Sequence, residues 1–392
     1  MTTKKKIALQ IEKTRAHGRS LLEGIAEYAL SHPEWSFDLL EADMMHRPDI
    51  IKKYDGFIVR IMDDETAKML SASRKPVIDT YGRLKSSAIP SIRIDDEALA
   101  IMAAKYFADH RFTRVAYCGF SGLRFSDARG TAFAAAARAH GMKCSIYTEK
   151  PQISDTFFRN ERADCIPDAE GLMSWVKHLE KPVGVFCCND LRAHQLLKVC
   201  ASHSLDIPHD IAILGADNDT LLCTFTNPPL SSIDTNPAEI GRQAAEMLAK
   251  QLAGKELRSE TVLVPPKRIV PRQSSEIYPL GSAWLSDALV HIDRHLADGI
   301  TANEVIAFLG YSHTTVNNAF RAELGRSIHQ EIIRLRLERA CHLLKETQLP
   351  AAAIAKECGY PNAQYFSRAF STAFGLPPDG WRKKENIHHT AS

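Results

Sequence analysis

The last quarter of this sequence contains one pattern twice: an apolar helix, a Gly-Tyr turn and a second, amphipathic helix. The turns are Gly310-Tyr311 and Gly359-Tyr360. In the second copy, Ala and Ile recur at helical spacing over residues 351–358, and Gly359 permits the positive φ that ends a helix sharply. The helix that follows carries a stripe at i, i+4 and i+8, formed by Phe366, Phe370 and Phe374. Because such a stripe must be buried against the preceding helix, each copy is predicted to be a helix-turn-helix.

The opposite face of each second helix is polar and rich in hydrogen-bond donors. The second helix of such a motif enters the DNA major groove, where Asn and Gln match adenine edges and Arg matches guanine. The predicted DNA-reading side chains are Thr314, Thr315, Asn317, Asn318, Asn362, Gln364, Ser367 and Arg368. Because the net charge of the whole chain is only +2, DNA affinity must come from local placement of such groups. We therefore expect two recognition helices that read adjacent major-groove segments of double-stranded operator DNA.

Several linked features connect the two copies. A predicted long helix between them has the pattern R-x-x-x-A-x-x-L-L from Arg336 to Leu344, the second copy contains Y-F-S-R-x-F, and G-x-P-P-x-x-W-R follows it. With these features the last quarter of the chain resembles the DNA-binding domain of the AraC/XylS family. The resemblance implies sequence-specific transcription regulation, with RNA polymerase as a further partner.

The first two thirds of the chain alternate short apolar runs with helical patterns. Residues 115–118 precede a helix over 127–140, for example, and residues 211–214 precede one over 237–252. Repeated βα units with continuous apolar strands predict parallel sheets covered by helices on both faces. Roughly 260 residues of this pattern exceed one hydrophobic core, so we expect two lobes. The predicted fold class is α/β with a two-lobed, periplasmic-binding-protein-like sensor, followed by an all-α domain with two helix-turn-helix motifs.

Four prolines mark the connection between these parts, within residues 264–283. Proline and small polar residues favour a stiff, non-helical segment. We therefore predict a sensor domain over residues 1–275, a linker over 276–283 and a DNA-binding domain over 284–392.

Motifs at the predicted strand ends identify the sensor type. N-D-x-x-A begins at Asn189 and G-x-D-N begins at Gly215. Through them the region from about residue 4 to 273 resembles the effector-binding core of LacI/GalR regulators, which is similar to periplasmic sugar-binding proteins. LacI-type chains carry a helix-turn-helix before the first strand, whereas only six residues precede Ile7 here, so we expect the sensor to use the C-terminal one. This order of domains, with the sensor first and the AraC-type domain second, resembles that of the xylose regulators. The LacI-type resemblance implies a homodimer through the sensor lobes, and the resemblance to the xylose regulators implies a monosaccharide effector, D-xylose, with activation as the sign of control.

Ligands of open α/β lobes lie beyond the carboxyl ends of the strands, so residues just after apolar runs are the candidates. Sugar hydroxyls need fixed donors and acceptors, and an aromatic ring covers an apolar sugar face. The candidate ligand-binding residues are Arg19, Asp79, Phe125, Arg129, Asn189, Asp190 and Asp217. The LacI-type resemblance supports Arg129, Asn189 and Asp217 among them.

Structural alternatives remain for some of these candidates. Asp190 also suits the cap of a helix that begins at Leu191. Asp127 likewise suits the cap of the following helix, with Arg129 paired to its carboxylate on the protein surface. Phe125 suits a position in the hydrophobic core as well as one where its ring stacks on a sugar.

Catalytic and metal-binding patterns are missing from the sequence. The nine cysteines form no C-x-x-C pair, no H-E-x-x-H or G-x-S-x-G motif occurs, and no stretch approaches the ~20 apolar residues of a membrane span. We expect no catalytic residue, no metal, no cofactor and no membrane contact, and we expect a non-enzymatic, cytoplasmic protein. The alternative is an AraC-type regulator of another small molecule, a hexose, sugar acid, polyol or nucleoside, with repression as the other sign of control.

Overall fold

The computed structural model describes residues 4–41, 44, 47–82, 88–147, 166, 168–257, 260–278 and 283–389. The chain divides into two compact units, Met1–Glu276 and Ile277–Ser392. Of the predicted linker, residues 279–282 lie outside the described residues, and Tyr278 is buried in the core of the second unit. None of the helices in the described part of the chain is long and apolar enough to cross a membrane.

Twelve strands lie in the described part of the first unit: β1 Lys5–Gln10, β2 Trp35–Leu39, β3 Gly56–Val59, β4 Val77–Asp79, β5 Ser91–Ile94, β6 Arg114–Cys118, β7 Lys143–Ile146, β8 Val183–Cys187, β9 Ile211–Ala216, β10 Ser231–Asp234, β11 Thr261–Val264 and β12 Arg268–Val270. Its described helices are α1 Ala16–Ala29, α2 Pro48–Lys52, α3 Asp64–Ala72, α4 Asp96–Asp109, α5 Arg124–Ala139, α6 Ala169–His178, α7 Asp190–Ala201, α8 Thr220–Phe225 and α9 Pro237–Leu252.

The strands form two six-stranded sheets, one in each lobe. The first has the order β11-β5-β4-β3-β1-β2 and the second the order β12-β10-β9-β8-β6-β7. Every pairing is parallel except that of β12, which runs antiparallel to β10. The two-lobed prediction with parallel sheets is therefore confirmed. The chain passes between the lobes three times: after β5, after β10 and after β11.

Helices cover both faces of the first sheet, as continuous apolar strands require. Ile58 packs with α1 and α9 on one face, whereas its neighbours Phe57 and Val59 pack with α2 and α3 on the other. Successive side chains of a strand point to opposite faces, which explains why all three positions are apolar and fully buried.

The second unit is helical, with α10 Ala283–Arg294, α11 Ala302–Leu309, α12 His313–Leu324, α13 Ile328–Glu346, α14 Ala351–Glu357, α15 Ala363–Phe374 and α16 Pro378–His389. The pairs α11/α12 and α14/α15 are the two predicted helix-turn-helix motifs. The long helix α13 joins them, since Ile332 lies in the core of the first motif and Leu344 in that of the second.

The phenylalanine stripe of α15 is only partly buried. Phe366 and Phe370 are fully buried, but Phe374 is 40% exposed. The prediction of a fully buried stripe was therefore wrong at its last position. Phe374 lies in the final turn of α15, where its ring contacts those of Phe370 and Trp381 and leaves one side open to solvent.

Candidate functional site

A cavity lies between the two lobes of the first unit, at the carboxyl ends of their strands. It encloses about 920 Å³ of space, part of which is open to solvent. The first lobe contributes the segment after β1, Arg60 after β3 and Tyr81 after β4. The second lobe contributes residues after β8 and β9 and the first turns of α4 and α5. Residues of both lobes therefore face the same space, which lies where open α/β sheets bind their ligands.

Four of the seven predicted ligand-binding residues line this cavity: Phe125, Arg129, Asn189 and Asp217. They come from three separate segments of the second lobe. Asn189 also caps α7, because its Oδ1 accepts the backbone N–H of Arg192 at 2.9 Å. The alternative that Asp190 caps this helix is therefore wrong.

Arg129 is held rigidly in the wall of the cavity. Its side chain is buried, its Nε donates to Asp96 Oδ1 at 2.8 Å, and a second guanidinium N–H donates to the carbonyl of Cys188. Burial alone disfavours the charged form, but the carboxylates of Asp96 and Asp217 outweigh it and raise the pKa of this arginine. The alternative of a surface pair with Asp127 is wrong, because Arg129 is only 2% exposed. Its guanidinium also lies 5.1 Å from the centre of the Phe125 ring.

Asp217 presents an incompletely bonded carboxylate to the cavity. Its backbone has φ 105°, a conformation that non-glycine residues rarely adopt and that is often found at functional sites. The Thr235 hydroxyl donates to its Oδ1 at the long distance of 3.5 Å. Burial raises the pKa of Asp217 to about 6, against the opposing effect of nearby guanidinium groups, chiefly that of Arg129.

Asp79, one of the predicted ligand-binding carboxylates, lies outside the cavity lining and bonds the backbone instead. Asp79 is buried and accepts three backbone N–H groups, from Ile61, Tyr81 and Gly82, at 2.9–3.2 Å. Burial raises its pKa to about 6. It thus shapes the turn that presents Tyr81.

Asp190 and Arg19 are likewise outside the lining. Asp190 accepts the Ser232 hydroxyl at 2.5 Å and the backbone N–H of Asp219 at 2.8 Å, and burial raises its pKa well above the usual range. Arg19 is exposed and donates to the carbonyls of Lys13 and Thr14. Both hold loops that border the cavity.

Sequence reasoning missed most of the charged lining: Glu12, Arg15, His17, Arg60, Arg93, Asp96 and Arg124. A signal existed for Glu12 and Arg60, since each follows directly after an apolar run, as several of the predicted residues do. His17 has a pKa lowered to about 4 by burial and by Arg60 and Arg129 nearby, so it is neutral at pH 7. Its Nδ1 is buried without a hydrogen-bond partner.

The predicted DNA-reading residues lie on α12, on α15 and at the N-cap of α15. Most are exposed, and Asn317 and Ser367 are half-buried. Asn362 caps α15 by accepting the backbone N–H of Tyr365 at 2.8 Å, so its oxygen is already used. Tyr365 itself is 64% exposed on the same helix and was missed as a candidate.

Two protein-family models match separate parts of the chain. A periplasmic binding protein-like domain matches residues 104–275, and a helix-turn-helix domain matches residues 305–384. The xylose operon regulatory protein of Escherichia coli K12 is 28% identical over 391 residues, covering 97% of each chain. That of Haemophilus influenzae Rd is 27% identical, covering 96% of this chain and 98% of the relative.

The solved structures include one described as the xylose-binding transcription activator xylR. It superposes with a TM-score of 0.63 at 26% identity and covers 98% of this chain and 99% of that one. These relatives are transcription regulators and not enzymes. The chain is thus a transcription regulator that combines a periplasmic binding protein-like sensor domain with a helix-turn-helix DNA-binding domain, and it is similar over nearly its whole length to xylose operon regulatory proteins.

Proposed function

We propose that this regulator acts in the cytoplasm and that a monosaccharide bound between the sensor lobes controls its binding to operator DNA. The observation that carries the proposal is the convergence of Arg129, Asn189 and Asp217 beside the Phe125 ring in one interlobe cavity. Carboxylate, amide and guanidinium groups bond vicinal hydroxyls, and the ring covers an apolar sugar face. The names of the relatives supply D-xylose as the candidate effector and activation as the sign of control.

Control follows from differential affinity for two states of the sensor. A sugar that contacts both lobes binds the closed state more tightly than the open one, and so shifts the equilibrium toward closure. Closure moves the three interlobe passages, and we propose that the segment after β12 transmits this change to the DNA-binding unit. In a homodimer formed through the sensors, four helix-turn-helix motifs would then meet two half-sites, with RNA polymerase as the further partner.

Calorimetry of the full chain with D-xylose, L-arabinose, D-glucose and D-ribose tests the sugar site. We expect heat from at least one of them and a loss of about 1–3 kcal/mol of binding free energy in Asp217→Ala, because its hydroxyl partners would be left unpaired. Absence of heat from every sugar would refute the choice of neutral sugars. Unchanged affinity in the variant would refute the site.

The pH dependence of effector binding should follow Asp217. Its pKa of about 6 means that the carboxylate is ionised at pH 7 and protonated progressively below pH 6. Because ligand hydroxyls donate to the ionised form, we expect nearly full affinity above about pH 7, roughly half of it near pH 6 and a fall of about tenfold per pH unit well below that. The stability of the free sensor should change in the opposite sense: the raised pKa means that protonation stabilises the folded state as pH falls through 6.

Calorimetric titrations between pH 5 and 8 provide the measurement. Asp79 has a similar pKa but lies outside the lining, so Asp217→Asn separates the two carboxylates. We expect this variant to lose most of the pH dependence. A variant that kept the wild-type profile would assign it to another group.

Arg368 should contribute directly to operator recognition. It is exposed on α15, and a bidentate contact with guanine is worth about 1–3 kcal/mol. We expect Arg368→Ala to weaken binding to the operator by that amount and to relax specificity at one base pair. Footprinting on an operator selected from random duplexes measures both effects.

The control is Arg114→Ala, which removes an exposed arginine of the sensor that pairs with Glu180 and should bind the operator like the wild type. Retained base preference in the Arg368 variant would contradict the assignment.

A further inference from the structure

We propose that two direct hydrogen bonds between the lobes hold the sensor closed and thereby set its affinity for the effector. In one, the backbone N–H of Ala16 in the first lobe donates to Asp219 Oδ2 of the second at 3.4 Å. In the other, Arg124 Nη1 of the second lobe donates to the carbonyl of Gly82 in the first at 2.8 Å. We call these two contacts the interlobe bonds. The inference rests on the closure mechanism proposed above and names the residues that bias it.

The interlobe bonds flank the cavity. In the first sheet, β3 separates β1, which precedes Ala16, from β4, which precedes Gly82. In the second sheet, β8 separates β9, which precedes Asp219, from β6, which precedes Arg124. Neighbouring strands are ~4.8 Å apart, so the bonded groups of each lobe are roughly 10 Å apart. The middle strands, β3 and β8, lead directly into the cavity lining. The space in which we propose that the effector binds therefore lies between the two bonds.

Asp219 is fixed so that its carboxylate serves two helices in different lobes. Its Oδ1 caps α8 by accepting the backbone N–H of Leu222 at 3.3 Å, and its own N–H donates to Asp190 at 2.8 Å. The helix α1 begins at Ala16, and its N-cap residue, Arg15, makes no side-chain capping bond. Because a helix N-terminus carries partial positive charge and N–H groups without partners inside the helix, Asp219 Oδ2 stabilises α1 from the other lobe.

The acceptor of Arg124 is also held in place. Gly82 lies in the turn shaped by Asp79, whose Oδ2 accepts the N–H of Gly82 at 3.0 Å. Gly82 has φ +59°, and a Cβ there would lie 2.9 Å from Cδ of Arg93. The turn therefore presents its carbonyl to Arg124 in a fixed position. Asp79 and Asp190, which the sequence predicted as ligand-binding residues, thus position one interlobe bond each.

Both bonds exist only while the lobes are close together. A donor and an acceptor that move more than about 3.5 Å apart no longer form a hydrogen bond, so opening of the cleft breaks both bonds. They favour the closed state independently of any ligand contact. The apparent affinity of an effector is proportional to the fraction of protein in the competent state, here the closed one. Asp219 lies outside the cavity lining, so a change there acts on closure and leaves the ligand contacts in place.

Two variants remove one interlobe bond each. Asp219→Asn keeps an oxygen for the cap of α8, since Asn caps helices as well as Asp does, but its amide nitrogen cannot accept the N–H from the first lobe. Arg124→Met removes the donor of the other bond. The matched control is Asp168→Asn, because Asp168 caps α6 and accepts the Tyr147 hydroxyl, with both partners in the second lobe.

Hydrogen exchange of the full-length protein, measured without sugar, tests whether the two bonds act on one equilibrium. We expect each variant to speed exchange about two- to fivefold in both residues 12–18 and residues 80–82, because up to one net hydrogen bond of closure is lost. Arg124→Met should thus affect residues 12–18, which belong to the other bond. Asp168→Asn should exchange like the wild type in both segments. Changes confined to the segment next to each substitution would show a purely local role and overturn the proposal.

Calorimetry of the full-length protein measures the effect on the effector. The probe is the sugar that binds the wild type most tightly among D-xylose, L-arabinose, D-glucose and D-ribose. We expect Asp219→Asn to bind it about two- to fivefold more weakly, and Asp168→Asn to bind it like the wild type. Equal affinity of Asp219→Asn and the wild type would overturn the proposal and leave the sugar site intact. Absence of binding by all four sugars would overturn the sugar sensor, whereas the exchange experiment would still decide whether the interlobe bonds govern closure.

Discussion

Replacing Gly359 with alanine is expected to destabilise the second helix-turn-helix by about 3 kcal/mol or more, because two penalties add. Gly359 has φ +68°, which disfavours any side chain. A Cβ at this position would also lie 1.9 Å from the carbonyl oxygen of Leu296, a backbone atom that cannot rotate away. We expect loss of hydrogen-exchange protection in α14 and α15 and loss of operator binding.

The matched control is the equivalent turn of the first motif. Gly310 has nearly the same φ, +69°, but a Cβ there would meet nothing within 4 Å. Gly310→Ala should therefore cost only the backbone penalty, about 1–2 kcal/mol. Equal losses in the two variants would show that the packing of Gly359 against Leu296 contributes nothing.

Replacing Arg129 with methionine is expected to cost the sensor about 3–5 kcal/mol of unfolding free energy, because it breaks a buried ion pair and leaves the Asp96 carboxylate with only the 3.4 Å contact from Arg93. The side chains of Arg129 and Asp96 are 3% and 9% exposed. The carbonyl of Cys188 also loses its donor. Since Arg129 lines the cavity, effector binding should disappear as well. Thermal unfolding of the sensor and calorimetry provide the two measurements.

A surface arginine gives the comparison. Arg242 makes two hydrogen bonds to Glu239, at 2.6 and 2.8 Å, but its side chain is 40% exposed. Arg242→Met should cost no more than about 1 kcal/mol, because solvent screens an exposed pair. Arg129→Lys, which keeps the charge but not the planar fork, should lie between the two. A loss in Arg129→Met no larger than that in Arg242→Met would contradict the role of the buried pair.

The helices and turns of this protein could be predicted because their causes are local. The helix predicted over 237–252 coincides with α9, since Pro237 and the apolar spacing lie within the segment itself. Both Gly-Tyr turns were recognisable because a positive φ at Gly310 and Gly359 depends on few neighbours. The edge strand β12 was not predicted, because its three residues pair with β10 only after the chain has returned from the first lobe.

The site depended on contacts that sequence distance conceals. Asp190 follows an apolar strand exactly as Asn189 does, yet the fold turns it toward Ser232, 42 residues further along the chain. Nothing near Arg93 in the sequence reveals that its Nε remains unpaired beside a cavity. Such facts arise from strand order and burial and have no local signature.

The sequence by itself therefore determined the helix-turn-helix pair, the alternating βα pattern and the strand ends from which ligand residues come, because periodicity and turn chemistry act over a few residues. Only the tertiary structure decided which polar groups face the cavity and which hold loops. It also decided which charged groups line the cavity, because three passages between the lobes bring Arg60, Arg93, Arg124 and Arg129 together from distant segments.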